Sequence, residues 1–267
     1  MSSPGYVFAD TPDSDSHAVK QVMMSALAHM YDPFSVDRLT GLHVPDNARC
    51  LVLGVGASRV AGRLADLAPH GQVIATDTDH SHTIAHPRVR QVTGDLLTDP
   101  LPAGRWDVIH ARLLLGHLDS RDDLLADLTG TLTANGVIVV EEFAGTWSTS
   151  VLDAPDWDEA NRLFTAYHHA FREILAGQGV DLTWARRVHG VMRRLGLRVE
   201  TRAHAATWAG NSPGTRLAWA SAGLLRDKLA AHGMPPADID AFRTLLQHPD
   251  LRVLGNLALS TIGRRDH

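Results

Sequence analysis

The chain has 267 residues, 44% of them hydrophobic, with 25 Lys and Arg against 30 Asp and Glu and a formal net charge of −5. That length suits one decorated domain with a full core, and the charge leaves no electrostatic footprint for nucleic acid or an anionic membrane surface. A lone cysteine, Cys50, excludes an intrachain disulfide framework and a multi-cysteine zinc site, and no metal is expected.

Residues 1–16 are rich in Ser, Asp and Pro and lack the basic start and apolar core of a signal peptide. No apolar run approaches the length of a membrane span. The expectation is a cytoplasmic protein with a flexible tail over 1–16. From 17 to 43, Val19, Met23, Leu27, Met30, Phe34 and Leu39 recur at mostly helical spacing, interrupted at Asp32-Pro33. One or two helices should therefore form a cap over 17–47, ahead of a main domain over 48–267.

That main domain alternates strand and helix signals: strand 49–53, helix 58–68, strands 72–76, 89–92 and 106–110, helix 120–133 and strand 137–142. Such an order predicts an α/β fold with a doubly wound, mostly parallel sheet. Ser120 begins an S-x-x-D helix start, Leu124, Leu125, Leu128 and Leu132 form its buried stripe, and Asn135-Gly136 is the expected stop. Asp156 similarly opens a long helix with Trp157, Phe164, Phe171, Ile174 and Leu175 on one side, the core of a lid over 153–180. A helix over 183–195, a strand over 197–203 and a helical insertion over 212–248, read as helices 215–232 and 236–247, precede a last strand or strand pair over 251–262. The insertion is also a candidate homodimer contact.

The chemistry concentrates in Cys50-Leu51-Val52-Leu53-Gly54-Val55-Gly56-Ala57-Ser58, an apolar run that breaks into a glycine turn before a helix. Open α/β sheets present nucleotide-like cofactors on such turns. Asp77, after the second strand, is placed to accept hydrogen bonds from a ribose, with Asp79 as competitor. A dinucleotide fingerprint needs a third glycine where Arg59 stands, which argues against NAD or FAD. S-adenosyl-L-methionine carries no phosphate and needs only the close backbone approach that Gly54 and Gly56 allow. Asp95 could accept from an adenine amino group with Leu96 against the ring, although Asp99 and a turn role compete. The strand Trp106 to Arg112 would end beside the sulfonium.

These residues, with Leu132 to Gly136 before the fifth strand, resemble a class I S-adenosylmethionine-dependent methyltransferase over about residues 48–143. The segment His110 to Leu118 with Glu141-Glu142-Phe143 is similar to small-molecule methyltransferases of bacterial secondary metabolism. The resemblance implies a Rossmann-like sheet and S-adenosyl-L-methionine held by Gly54, Val55, Gly56, Asp77, Thr78, Asp95, Leu96, Ala111 and Arg112. It implies methyl transfer to an oxygen or nitrogen of a small molecule or short peptide. Val52 stands where the family commonly has an acidic residue, and Ser58 where it commonly has a third glycine.

Methyl transfer is a displacement at an activated sulfonium, so positioning carries much of it and a general base is optional. His117 is the first candidate base, and Glu142, at the end of the fifth strand, could orient an acceptor amine or hydroxyl. His110 reads as core or supporting, and His168-His169 as a helical pair of which at most one faces substrate. Arg112 and Arg38 are candidates to hold a carboxylate, and Tyr31, Trp147 and Phe164 to line the pocket; Asp107 reads as strand architecture. With Val52 in the turn and no decisive catalytic residue, a second reading stays open: a methyltransferase-like fold serving as a non-methylating binding or assembly module.

Overall fold

The computed structural model describes residues 14–78, 84, 86–96 and 98–266. Residues 1–13 of the expected tail lie outside them, as does Asp79. The described chain forms two compact units, one of residues 31–143, 183–204 and 258–266, the other of residues 14–30, 144–182 and 205–257.

The first unit is built on a seven-stranded sheet of β1 (Arg49–Leu53), β2 (Gln72–Asp77), β3 (Val89–Thr93), β4 (Trp106–Arg112), β5 (Leu132–Phe143), β7 (Arg198–His204) and β10 (Ala258–Arg264). Their order is β3-β2-β1-β4-β5-β10-β7, parallel from β3 to β5 and antiparallel where β10 pairs with β5 and β7. The order reverses between β1 and β4, and ligands bind open α/β sheets at the carboxyl ends of strands at such a switch point. Both faces are covered, as the continuous apolar runs require. Leu51, Leu53, Ile109 and Val140 pack against α3 (Arg121–Gly130) and α5 (Trp184–Arg194). Cys50, Val52, Val108 and Val139 pack with Leu64 and its neighbours on α2 (Val60–Leu67) and with Leu39. Burial, and then Asp107, push the Cys50 thiol up to about 12, so it behaves as a small hydrophobe.

The second unit holds α4 (Trp157–Gly177), α6 (Pro213–Leu224), α7 (Arg226–Ala231), α8 (Pro236–Leu245) and a sheet of order β6-β9-β8, from β6 (Ser150–Asp153), β8 (Thr207–Ala209) and β9 (Arg252–Leu254). Its aromatic centre stacks Tyr167 on Phe242, with centroids 4.6 Å apart, and sets Phe164 edge-on to Phe242 at 4.9 Å.

Several expectations change. The segment around Asp32-Pro33 does not break a helix: α1 runs from Ser14 to Thr40 with Pro33 inside. The helix expected over 120–133 ends at Gly130, and Leu132 already pairs with Trp106. Asn135, with φ 66°, lies in the irregularity between the Trp106–Leu132 and Val108–Val137 pairings, so Asn135-Gly136 turns a strand and not a helix end. Ser120 makes no side-chain cap, whereas Asp156 accepts from the Glu159 N–H at 3.0 Å. Trp157, expected on the buried side of α4, is 53% exposed because it stands at the first helical position. The segment 251–262 divides into β9 and β10 of two different sheets, and the insertion holds three helices.

Leu64 is fully buried on α2. Leu64→Ala should cost about 2–5 kcal/mol, read as a lower urea midpoint with unchanged denaturant slope.

Candidate active site

The glycine turn follows β1 with Gly54 at φ 62° and Gly56 at φ 47°, a backbone region that side chains rarely adopt. A Cβ on Gly54 would sit 3.2 Å from the Leu114 side chain, so the turn is pressed closely by the loop after β4. The N–H groups of Gly54 and Val55 donate to Thr76 O, at 2.9 and 3.3 Å. Gly56 N–H donates to Asp77 Oδ2 at 2.8 Å, so the turn and the acid of β2 form one unit at the switch point. Gly94 N–H donates to Asp77 O at 3.1 Å, bringing the end of β3 to the same edge. There Asp95 N–H donates to Asp99 Oδ2 at 2.9 Å, which gives Asp99 a turn role, and Leu96 packs half-buried against the core beside Val92 and Leu114. Thr78 is exposed at the end of β2 and Ala111 is fully buried on β4.

Behind the turn runs a buried polar chain. Asp32 on α1 accepts from Ser58 Oγ at 3.2 Å and from Arg59 N–H at 2.9 Å, at the start of α2. Its Oδ1 also accepts from Arg112 Nη2 at 2.8 Å, an ion pair whose side chains are only about a tenth exposed. Arg112 Nη1 donates to Ser35 Oγ at 2.9 Å, and Ser35 donates to Glu141 Oε2, which His110 Nε2 meets at 3.1 Å. Burial alone would push the Glu141 carboxyl up; the contacts with His110, Ser35 and Arg112 overcome it and hold the group at about 2.

Glu142, one residue on, faces the other way, as alternate strand residues must. Its Oε1 accepts from the N–H groups of Leu114 and Gly116, each at 3.2 Å. Burial pushes its carboxyl up to about 7, against the pull of those N–H groups and of Arg121. His117 closes the 3-10 turn Leu115–His117; burial, and then Arg121, keep its imidazole below the ordinary value and therefore neutral at pH 7. A narrow cleft beside Glu141 and Glu142 is lined also by Tyr31, Phe34, Arg112, Leu113 and Phe143, and His117 is not among its walls.

Other candidates are placed elsewhere. Arg38 is buried and donates to Glu200 at 2.9 Å and to Ser260 Oγ at 3.2 Å. Asp107 accepts from Arg49 N–H and Thr133 Oγ1, both at 2.8 Å, an architectural role. In the second unit, Trp147 donates to Gly255 O at 3.1 Å, and Phe164 lies in the aromatic centre. His168 accepts from Thr149 N–H at 3.1 Å, lowered to about 4 by burial and then by Arg172, while His169 is exposed. Sequence reasoning missed Asp32 and Ser35 altogether, because nothing local marks a helical Asp as the partner of a turn 26 residues away.

Among the described residues no group of His, Cys, Asp or Glu could hold a metal ion, and no helix is long and apolar enough to cross a membrane. Residues 51–140 match the model of a family described as a methyltransferase domain. No curated protein matches the chain. Among solved structures, phosphoethanolamine N-methyltransferase 2 of Haemonchus contortus, solved with S-adenosyl-L-methionine, is 14% identical with a TM-score of 0.55, over 97% of this chain and 60% of that one. A protein of Anabaena variabilis assigned as a methyltransferase to an antibiotic biosynthesis pathway is 17% identical with a TM-score of 0.54, over 87% and 98%. The plantazolicin methyltransferase, solved with S-adenosylhomocysteine, is 12% identical with a TM-score of 0.50, over 97% and 92%. At these identities the structural likeness is one of fold.

The chain folds on a Rossmann-like sheet, and its residues 51–140 resemble a methyltransferase domain. The cofactor that this resemblance implies is S-adenosyl-L-methionine. The site fits that molecule: a turn with two positive-φ glycines, a half-buried acid at the end of β2 and apolar side chains at Leu96 and Leu114.

Two predictions follow from the buried acids. Asp32→Asn leaves Arg112 without its counter-charge and should cost about 3–5 kcal/mol, measured by chemical denaturation. Because the folded-state value of Glu142 is raised to about 7 from an ordinary 4.5, the stability tied to its protonated form is present below 4.5 and lost as pH rises through about 7. Glu142→Gln should therefore melt progressively higher than wild type between pH 4.5 and 7, with a constant advantage above, in thermal scans across that range.

Proposed function

We propose that this protein transfers the methyl group of S-adenosyl-L-methionine to an oxygen or nitrogen of a small molecule or short peptide. The observation that carries this reading is the joining of the glycine turn to Asp77 at the β1–β4 switch point. Gly54, Val55 and Gly56 would approach the amino-acid part of the cofactor, Asp77 and Thr78 the ribose, and Asp95 and Leu96 the adenine. Ala111 and Arg112 would border the methyl-bearing end, with Arg112 working from its pairing with Asp32 and Ser35. The cofactor supplies an already activated methyl group, so the residues of this chain need to orient the acceptor, exclude water and hold a proton.

The acceptor end of the site would be the cleft at the ends of β4 and β5, where Tyr31, Phe34 and Phe143 offer apolar walls. His117, neutral at pH 7, is the group able to take a proton from an acceptor hydroxyl or ammonium. A net charge of −5 favours a small acceptor over a polyanion.

Isothermal titration with S-adenosyl-L-methionine is the direct test, and no binding at millimolar cofactor refutes the reading. Asp77→Ala removes a charged acceptor and a partner of the Gly56 N–H, so affinity should fall about 10- to 100-fold. An unchanged affinity would discard the ribose assignment. Release of S-adenosylhomocysteine with a panel of amines, phenols and short peptides separates a transferase from a non-methylating binding module.

A further inference from the structure

We infer that Glu142 is a positioning residue: as a buried anion it pins the loop 113–117 so that Leu114 closes over the glycine turn and completes the cofactor site. The inference rests on the methyltransferase reading above.

Three successive main-chain N–H groups, of Leu114, Leu115 and Gly116, converge on its carboxylate, the first and third at 3.2 Å. Such a run of amides is an anion-binding concavity, and here the anion is supplied by the chain itself. Gly116 packs at ordinary contact distance, a Cβ there standing 3.5 Å from Glu142 Oε2 and 3.8 Å from Trp184. The preceding residue, Leu113, has φ 52°, an unfavourable conformation for a bulky side chain. Its N–H is held by Glu141 O at 2.8 Å. Two adjacent residues of β5 thus grip the loop, one through its backbone and one through its side chain. The output is the Leu114 side chain, which lies 3.2 Å from where a Gly54 Cβ would be. A strained loop held by a buried acid is costly, and such cost gathers at functional sites.

A glutamine at 142 keeps the shape and can keep a neutral oxygen where Oε1 accepts from Leu114 and Gly116, but it removes the negative charge and puts an NH2 group in place of Oε2. The test is Glu142→Gln at pH 8.5, with hydrogen exchange over 113–117 and titration with S-adenosyl-L-methionine. Amide protection in the loop should fall about tenfold and cofactor affinity should fall at least tenfold, while the melting temperature does not fall. A residue with only a structural role would lower melting temperature and affinity together, and that outcome overturns the inference. Unchanged loop protection also overturns it, whatever the cofactor does. Absence of cofactor binding by the wild type would instead refute the methyltransferase reading, with the exchange measurement still reporting on the loop.

Discussion

Asp32 accepts hydrogen bonds from the two residues just ahead of α2 and forms a salt bridge with Arg112 at the end of β4, and the arrangement of the site depends on that one carboxylate. A carboxylate removed from water is tolerated only when its lone pairs are occupied, and Ser58, Arg59 and Arg112 occupy them. Arg112 in turn reaches Ser35, Ser35 reaches Glu141, and Glu141 reaches His110. Part of α1 is thereby held to the glycine turn, to β4 and to β5. Pro33 directly follows Asp32 inside the helix. Proline removes one helical hydrogen bond there, and the contacts of its two neighbours, Asp32 and Phe34, support the segment that continues past it; Phe34 stacks on His204 at 4.7 Å.

The same carboxylate bears on Val52, which stands where the family commonly has an acid. Val52 is buried in the apolar cluster with Cys50, Val60 and Ala75, and its strand neighbour is His110. An acid at that point would face hydrocarbon; the structure places one, Asp32, at the beginning of α2 instead. Asp32, from an element outside residues 51–140, holds Ser58 and Arg59 just after the glycine turn.

Glu141 and Glu142 show how a single strand end serves two purposes. Consecutive side chains project to opposite faces of a sheet, so one meets the polar chain from α1 and the other meets main-chain amides of the loop after β4. The first is held at about 2 and the second is raised to about 7. The side chains of His110, Ser35 and Arg112 outweigh desolvation in one case, and main-chain amides with Arg121 do not in the other. Two identical residues side by side are separated in chemistry entirely by what the fold brings to each face.

The glycine turn, Asp77 and the alternation of strands and helices were legible because each is a local pattern: apolar runs, small residues at a turn, an acid at a strand end. Strands of three or four residues such as β6 and β8 were not distinct, since so short a stretch carries too little period to separate it from a loop. Asn135-Gly136 has the composition of a helix stop, yet it turns a strand, because pairing with Trp106 begins at Leu132 and outweighs local preference. What the sequence by itself determined was the class of fold and the edge of the sheet at which a nucleoside-bearing cofactor would lie. The partners of Asp32, Arg112, Glu141 and Glu142 were decided only by tertiary structure, because a buried charge takes its role from groups brought to it across 26 to 106 residues of chain.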